Sequence, residues 1–417
     1  MTNKVNGLLG RTLKHSFSVF VHQELGNPDY GLYELEPEQL GSLFKSAHID
    51  LLNVTIPYKK DVMSYCTTLS PEAKAVGSVN TITTSVEGHH GHNTDAYGFQ
   101  YMAKRAGIDF TDKKVLIFGS GGSSGAVRYV VEQTKAQSIT TVSRSGEHNY
   151  NNLAKHHDAE ILINTTPVGM HPASVGSSIV DLSYFPHCEG VLDLVYNPLR
   201  TALIIQAEQR GIPSASGLSM LVAQAKAAEE LFLGQRIADE QIERIIGLIN
   251  AQKENIVLIG MPGSGKSTVG AALAQMTGRE LIDLDKRIEK AAGMPIPTIF
   301  AEQGEAAFRS IESERAAYYG TMTGKIIVCG GGIIKHERNY APLHQNGRLY
   351  HLTRHPSQLA REGRPLSQNV NLGELYQERL PLYTCFRDAV IDNSGTPKQT
   401  AQSIWEEFNA YTRHQRP

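Results

Sequence analysis

The sequence predicts an α/β protein made of two consecutively folded units, and three observations predict it. Short apolar runs alternate with amphipathic stretches over most of the 417 residues, the pattern of parallel sheets covered by helices. Two glycine-rich turns of different grammar, "VLIFGSGGSSGAVR" from Val115 and "IVLIGMPGSGKSTVG" from Ile256, each follow an apolar run and enter a helical pattern. Just before the second, the polar "AQKEN" (Ala251–Asn255) follows the helical run Ala238–Asn250 and has the composition of a connector.

Taken in order, Leu51–Ile56, Val115–Phe118, Ile139–Val142, Ile161–Asn164 and Val191–Leu194 are expected as strands of the first unit. Ile256–Ile259, Ile326–Cys329 and Leu349–Leu352 are those of the second. All are short apolar runs bounded by turn residues. Gly125–Lys135, Gly217–Gly234 and Ser267–Thr277 carry helical patterns. The expected division is 1–250, a linker at 251–255, and 256–417. The first unit divides again near residue 105: one lobe is 1–105 with about 217–250, and the other, 106–216, starts its strand–glycine turn–helix at Val115.

Bulk composition narrows the partners. With 41% hydrophobic and 20% charged residues and a net charge of −2, no global basic field points to nucleic acid or an anionic membrane. The expected partners are small molecules bound in local sites, and monomer and homodimer both remain open. Cys66, Cys188, Cys329 and Cys385 lie far apart without CxxC or zinc spacing, as suits a reducing compartment. The N-terminal "MTNKVNGLLGR" has no long apolar run, and no segment approaches about 18 uninterrupted apolar residues. A cytoplasmic protein is expected. His89, His90 and His92 in "VEGHHGHNTD" suggest a hairpin turn with solvated histidines before a metal site, because no second ligand cluster accompanies them. The terminal "EEFNAYTRHQR" is expected as a helix with a frayed tail.

The second glycine turn meets the pattern GxxxxGK[ST] in full with Gly260, Gly265, Lys266 and Ser267, after a strand and opening a helix. Such glycines let backbone N–H groups converge on phosphate oxygens, and the helix N-terminus adds positive potential. ATP is expected on Gly263, Gly265, Lys266, Ser267 and Thr268, with Lys266 reaching the β/γ-phosphates and Ser267 holding Mg²⁺. This P-loop specifies only a nucleoside triphosphate, so the acceptor must be sought downstream. "LIDLDKRIE" places Asp283 and Asp285 two apart at an expected strand end, one carboxylate to order Mg²⁺ and the other to take a proton from an attacking hydroxyl. "GEAAFRSIE", "CGGGII", "REGRPL" and "ERLPLY" follow in order. Arg309 and Arg379 suit a bidentate grip on a small carboxylate and Arg364 a phosphate clamp, although each taken singly is more often a solvated surface charge.

This ordered set resembles the shikimate kinase family over essentially all of residues 255–400. The resemblance implies a P-loop kinase of nucleoside monophosphate kinase-like fold. It implies Asp285 as base and ligand of the ring hydroxyls, Asp283 as aid to Mg²⁺, and Arg309, Arg379 and the backbone of Gly331 and Gly332 around the shikimate carboxylate and ring. Arg364 would close on the phosphates from a lid. The sequence departs from the family in a short lid, where only Glu362 and Gly363 separate Arg361 from Arg364. It departs again in "DNSGTP" (Asp392–Pro397), which lacks the arginine that often flanks adenine.

The first glycine turn is looser. Its spacing is not GxGxxG, because Ser124 stands where the third glycine belongs and Gly125 follows. Alone it fits either a dinucleotide turn or an ordinary strand–helix turn. After the next strand, "TTVSRSGE" lacks the acidic residue that binds a ribose 2′-hydroxyl and has Arg144 instead, which suits a 2′-phosphate. NADP(H) is therefore expected, on Gly119, Gly121, Gly122, Ser123, Arg144, Thr165 and Gly217. The preceding lobe supplies Ser16 and Ser18 in "HSFSVF", Asn53, Thr55 and Lys59 in "NVTIPYKK", Asn80 in "GSVNT" and Asp95 in "GHNTDAYG". "NTTPVGM", "DLVYNPLRT" and "GLSMLVAQA" follow.

That series resembles the shikimate dehydrogenase family over residues 5–235. The resemblance implies a substrate lobe joined to a Rossmann lobe, with Lys59 and Asp95 as the catalytic pair. Ser16, Ser18 and Tyr196 would hold the substrate carboxylate, and Asn80, Thr55 and Gln224, with Asn53, the ring hydroxyls. Thr12 and Val19 stand where the family commonly has proline. The two resemblances together imply NADPH-dependent reduction of 3-dehydroshikimate to shikimate, followed by MgATP-dependent phosphorylation to shikimate 3-phosphate. The alternatives are a quinate/shikimate dehydrogenase working with NAD, a different small-molecule kinase, or a regulatory nucleotide-binding module.

Overall fold

The computed structural model describes residues 4–13, 17–46, 48–174, 176–359 and 372–413. The first lobe runs through β1 (Lys4–Gly10), α1 (Ser18–Glu24), β2 (Gly31–Glu34), α2 (Leu40–Ser46), β3 (His48–Val54), β4 (Thr68–Leu69), α3 (Pro71–Val76), β5 (Thr81–Ser85), β6 (Gly88–His92) and α4 (Asp95–Arg105). Its sheet has the order β2-β1-β3-β5-β6-β4, parallel around β1 and antiparallel where β5 joins β3 and β6. His89, His90 and His92 stand on β6 itself and not in the turn. There His89 pairs with Thr84, His90 with Thr68 and Ser85, and His92 with Thr83, through their hydroxyls.

The second lobe is a doubly wound parallel sheet of β7 (Lys114–Phe118), α5 (Gly122–Glu132), β8 (Ser138–Val142), β9 (Ile161–Asn164), β10 (Gly190–Asp193), α6 (Ala202–Gln209) and β11 (Ser214–Ser216). Strand order is β11-β10-β9-β7-β8, every pair parallel. Parallel strands covered by helices are apolar on both faces, and β7, β9 and β10 carry such runs into two buried clusters, one on each side. The chain then returns to the first lobe through α7 (Leu218–Leu233) and α8 (Glu240–Lys253). Gly98 of α4 makes the return tight: a Cβ there would lie 2.7 Å from the Met220 carbonyl of α7.

The stretch Ala251–Asn255, expected as a connector, is instead the last residues of α8, then Glu254, then the first residue of β12 (Asn255–Ile259). Alanine, glutamine and lysine are strong helix formers, so polarity here marks a helix end and not a linker. One residue therefore joins the units. The third sheet follows with α9 (Lys266–Thr277), β13 (Leu281–Asp283), α10 (Leu284–Ala292), α11 (Ile296–Gly320), β14 (Ile326–Val328), α12 (Tyr340–His344), β15 (Gly347–Thr353), α13 (Leu372–Phe386), β16 (Ala389–Asp392) and α14 (Pro397–Arg413). Its order is β13-β14-β12-β15-β16, again all parallel. Among the described residues, no helix is long and apolar enough to cross a membrane.

Candidate active sites

In the first unit, the far end of β3 and the start of α4 bring a lysine and an aspartate together. Lys59 Nζ donates to Asp95 Oδ2 at 2.6 Å, with side-chain exposures of 12% and 2%. The other carboxylate oxygen accepts from Asn80 Nδ2 at 2.9 Å, and Asn80 Oδ1 accepts the Thr94 N–H at 2.8 Å. A carboxylate fixed at both oxygens orients the ammonium that faces it. Gly98 lies one turn beyond Asp95, where α4 meets α7, and the same close approach puts a Cβ there 3.0 Å from that of Gln224. Gln224 Oε1 is buried and has no hydrogen-bond partner among the described residues, so an acceptor stands open there. Ser18 heads α1 and is buried, and the Tyr196 ring lies 5.5 Å from that of Phe17. Thr55 follows β3 and is half-buried, its N–H bonded to the Leu9 carbonyl at 2.9 Å.

Asn53 is placed differently from its expected role. Its Oδ1 accepts from Tyr30 at 2.8 Å, and its Nδ2 donates to Thr81 at 3.0 Å and to the Asn80 carbonyl at 3.3 Å. With both donors and an acceptor engaged, it braces the Asn80 strand from behind. Ser16 lies outside the described residues.

The first glycine turn resolves its ambiguous spacing. Gly119 has φ +107, and a Cβ there would lie 2.6 Å from Thr165 Oγ1, so only glycine fits. Ser124, in the place of the third glycine, donates through Oγ to the Gly119 carbonyl at 2.7 Å and tightens the turn. Gly121 caps α5, and a Cβ on it or on Gly122 would meet no atom within 4 Å, so the helix N-terminus with Ser123 opens outward. Arg144 is exposed on the loop after β8, which the Ser143 N–H closes onto the His148 carbonyl at 3.0 Å. Gly217 ends the far side of the sheet and caps α7. A helix N-terminus, backbone at the carboxyl ends of β7 and β9, and an exposed guanidinium fit a phosphorylated dinucleotide.

In the second unit the P-loop follows β12. Gly263 and Gly265 have φ +84 and +87, and Lys266 Nζ donates to the carbonyls of Gly260 at 2.9 Å and Met261 at 3.0 Å. Ser267 Oγ donates to Asp283 Oδ2 at 3.1 Å, an oxygen pair suited to Mg²⁺, and Thr268 follows in the first turn of α9. Asp285 lies in the first turn of α10, and burial, seconded by the Asp283 charge, pushes its carboxyl above the usual range.

Two arginines converge on one glycine turn. A Cβ at Gly332 would lie 2.5 Å from the Arg309 guanidinium, and Arg379 Nη1 donates to the Gly331 carbonyl at 3.0 Å. A Cβ at Gly330 would lie 2.8 Å from Asp285 Oδ1, which places this carboxylate on the glycine turn that both cations meet. Arg364 lies outside the described residues, as does the rest of the short lid. The sequence reading missed three participants. Glu312 accepts from Arg309 Nη1 at 2.7 Å and fixes it. Asn393 donates to the Ser264 carbonyl beneath the P-loop. Arg354 follows the end of β15, with Nη1 4.0 Å from where a Gly265 Cβ would stand and its buried Nε unpaired among the described residues. The only sequence signal for Arg354 and Asn393 was their place at the carboxyl ends of strands, where open α/β sheets bind ligands.

Fold and sites define a chain with two catalytic units, an oxidoreductase with a nicotinamide dinucleotide lobe followed by a P-loop kinase of a small hydroxylated acid. The family profile "Shikimate dehydrogenase substrate binding domain" matches residues 8–82, and "Shikimate kinase" matches residues 262–409. The shikimate dehydrogenase (NADP(+)) of Clostridium perfringens strain SM101 is 35% identical over 263 residues, 58% of this chain and 97% of that protein. The chain belongs to the shikimate dehydrogenase family, and its C-terminal region carries a shikimate kinase domain.

Solved structures agree. A chorismate mutase/shikimate 5-dehydrogenase fusion protein from Clostridium acetobutylicum is similar at TM-score 0.56 and 32% identity, covering 60% of this chain and 97% of that one. A shikimate 5-dehydrogenase from Thermus thermophilus in complex with NADP(H) and shikimate is similar at TM-score 0.52 and 26% identity, covering 58% and 97%. The chain is a bifunctional shikimate-pathway enzyme using NADP(H), ATP and Mg²⁺.

Proposed function

We propose that the two sites act in sequence on one oxygen atom. In the first site, NADPH supplies a hydride to the C3 carbonyl carbon of 3-dehydroshikimate. The carbonyl π pair moves onto oxygen, and the Lys59 ammonium gives that oxygen a proton, leaving shikimate and NADP⁺. Asp95 aims Lys59 through their 2.6 Å contact, and Asn80, backed by Asn53 on its carbonyl, holds Asp95. Ser16, Ser18 and Tyr196 take the carboxylate, while Thr55, Gln224 and, beside the pair, Asn80 take the ring hydroxyls. Gly119, Gly121, Gly122, Ser123, Thr165 and Gly217 form the dinucleotide cradle, with Arg144 on the 2′-phosphate.

In the second site the 3-hydroxyl just formed is the nucleophile. Asp285 removes its proton as its oxygen bonds to the γ-phosphorus and the bridging bond to ADP breaks. Lys266 and Arg364 balance the phosphate charge, Ser267 and Asp283 hold Mg²⁺, and Arg309, Arg379, Gly331 and Gly332 hold the acceptor's carboxylate and ring. We place the work in the cytoplasm, in keeping with four cysteines that are all free.

The observation that carries this reading is the pairing of Lys59 with Asp95 in one unit and the gathering of Asp285, Arg309 and Arg379 around Gly330–Gly332 in the other. Lys59→Ala is expected to cut NADPH oxidation by about 10³-fold and spare shikimate-dependent ADP release, with Asp285→Ala doing the reverse. Loss of both activities in either variant would break the two-site reading.

A further inference from the structure

The junction between the units is anchored on one loop of the dehydrogenase. β10 ends at Asp193 and α6 begins at Ala202. Both ends of the connection are tied to the Asp193 carboxylate: the Val195 N–H donates to Oδ1 at 3.0 Å and Thr201 Oγ1 to Oδ2 at 2.6 Å. Tyr196 lies inside this loop. The Asn197 carbonyl accepts the His171 N–H at 2.9 Å within the first unit, and the polar groups of Leu199 and Arg200 are met from the kinase side. The Leu199 N–H donates to Asn346 Oδ1 at 3.0 Å, and the Arg200 N–H to the Gln345 carbonyl at 2.9 Å. The Arg200 guanidinium donates to the Gly347 carbonyl and, at 3.1 Å, to the Glu254 carboxylate.

Those acceptors are firmly held. Asn346 is buried, donates to the carbonyls of Gly320 and Thr321 at 3.3 Å each, and accepts the Asn255 N–H on its own carbonyl at 2.6 Å. Glu254 is 2% exposed. A buried N–H without an acceptor is costly, so the Leu199–Arg200 end of the loop is fixed by the acceptors that the kinase unit supplies.

The contact is one-sided. Glu254 and Gln345–Gly347 stand at the N-terminal ends of β12 and β15, whereas the P-loop follows the C-terminal end of β12. The five residues of β12, about 16 Å of strand, separate the junction from the phosphates.

We propose that the kinase unit is a working part of the dehydrogenase active site. Arg200 is a positioning residue: braced on Glu254, Gln345 and Gly347, it holds the loop so that Tyr196 meets the substrate carboxylate, while the kinase site draws nothing from the same contact. The inference rests on the reading of Tyr196 as a carboxylate ligand.

The test uses the full chain. Arg200→Ala is expected to raise KM for 3-dehydroshikimate about tenfold with kcat within about twofold, leaving KM for NADPH and both kinase constants unchanged. Arg200→Lys keeps the cation without the planar fork and falls between. Tyr196→Phe raises the same KM. Because Arg200 acts through Tyr196, the double variant has the KM of Tyr196→Phe alone, whereas independent losses would multiply. Multiplied losses, or an unchanged KM in the Arg200 variants, overturn the proposal. An unchanged KM in Tyr196→Phe overturns the reading of Tyr196 instead. Kinase turnover in the same sample reports folding, and Arg200→Lys carries the comparison if the alanine variant does not fold.

Discussion

The two units solve the same problem of placing charged groups around a small polyhydroxy acid, and the phosphate turn of the kinase is built at shorter range along the chain than the catalytic pair of the dehydrogenase. In the kinase, Lys266 bonds a carbonyl six residues away and Ser267 a carboxylate 16 residues away, all at the carboxyl end of one sheet. In the dehydrogenase, Lys59 and Asp95 are 36 residues apart, and the helix that starts at Ser18 is pinned to the Gln224 helix by His22 and Glu229, 207 residues apart. The kinase's phosphate turn is a property of local turns on a sheet edge, while its acceptor turn and the underside of the P-loop are held across 48 residues by Arg379 and 129 by Asn393. The dehydrogenase site is a cleft between elements, and its precision depends on how those elements are clamped.

The sharpest way to break this comparison is at the clamp. The His22–Glu229 contact is 2.6 Å long and buried on both sides, and Glu229 Oε2 has no hydrogen-bond partner among the described residues. Removing His22 leaves the buried Glu229 carboxylate with only the Asn27 amide, 2.9 Å from the same oxygen. His22→Ala is expected to destabilise the first unit by about 3 kcal/mol while the kinase unfolding transition stays in place. Calorimetry on the full chain, with each transition assigned by its ligand, checks this, and an equal loss in both units would erase the contrast.

A smaller effect is expected at Arg144. It is exposed and proposed to meet the cofactor's 2′-phosphate, so Arg144→Gln should cut the NADPH-over-NADH preference in kcat/KM roughly tenfold without moving either transition. A variant that lost stability as well would mean that the loop after β8 is part of the clamp.

The mildest test separates the units by pH. As the proposed base, Asp285 acts only when deprotonated, and burial, seconded by the neighbouring Asp283, raises its pKa. Kinase kcat/KM should therefore fall off with acid above the usual carboxylate range. A profile from pH 4 to 8 in saturating Mg²⁺ checks this, and an acid limb at an ordinary carboxylate position would remove Asp285 as the base.

Much of this was legible in the residues. The P-loop announced itself because glycine, lysine and serine at fixed spacing have one mechanical use, and Asp283 ends β13 with Asp285 in the first turn of the helix that follows. The looser first turn was ambiguous, since Ser124 breaks the glycine spacing. Only the bond from its hydroxyl to the Gly119 carbonyl shows how serine completes the turn. "AQKEN" misled because polarity marks a helix end and a linker alike.

Sequence by itself determined which chemistries the chain contains, because catalytic groups and phosphate turns are chosen for reactivity and backbone freedom, both local properties. Which polar groups are free to use that chemistry was decided only in three dimensions. Asn53 has its amide consumed by Tyr30, Thr81 and Asn80, while Gln224 keeps an open acceptor in a similar setting. Arg200 spans two units that composition suggested were separated by a linker. A hydrogen bond depends on distance in space, and the residues that occupy these groups lie tens to hundreds of positions away along the chain.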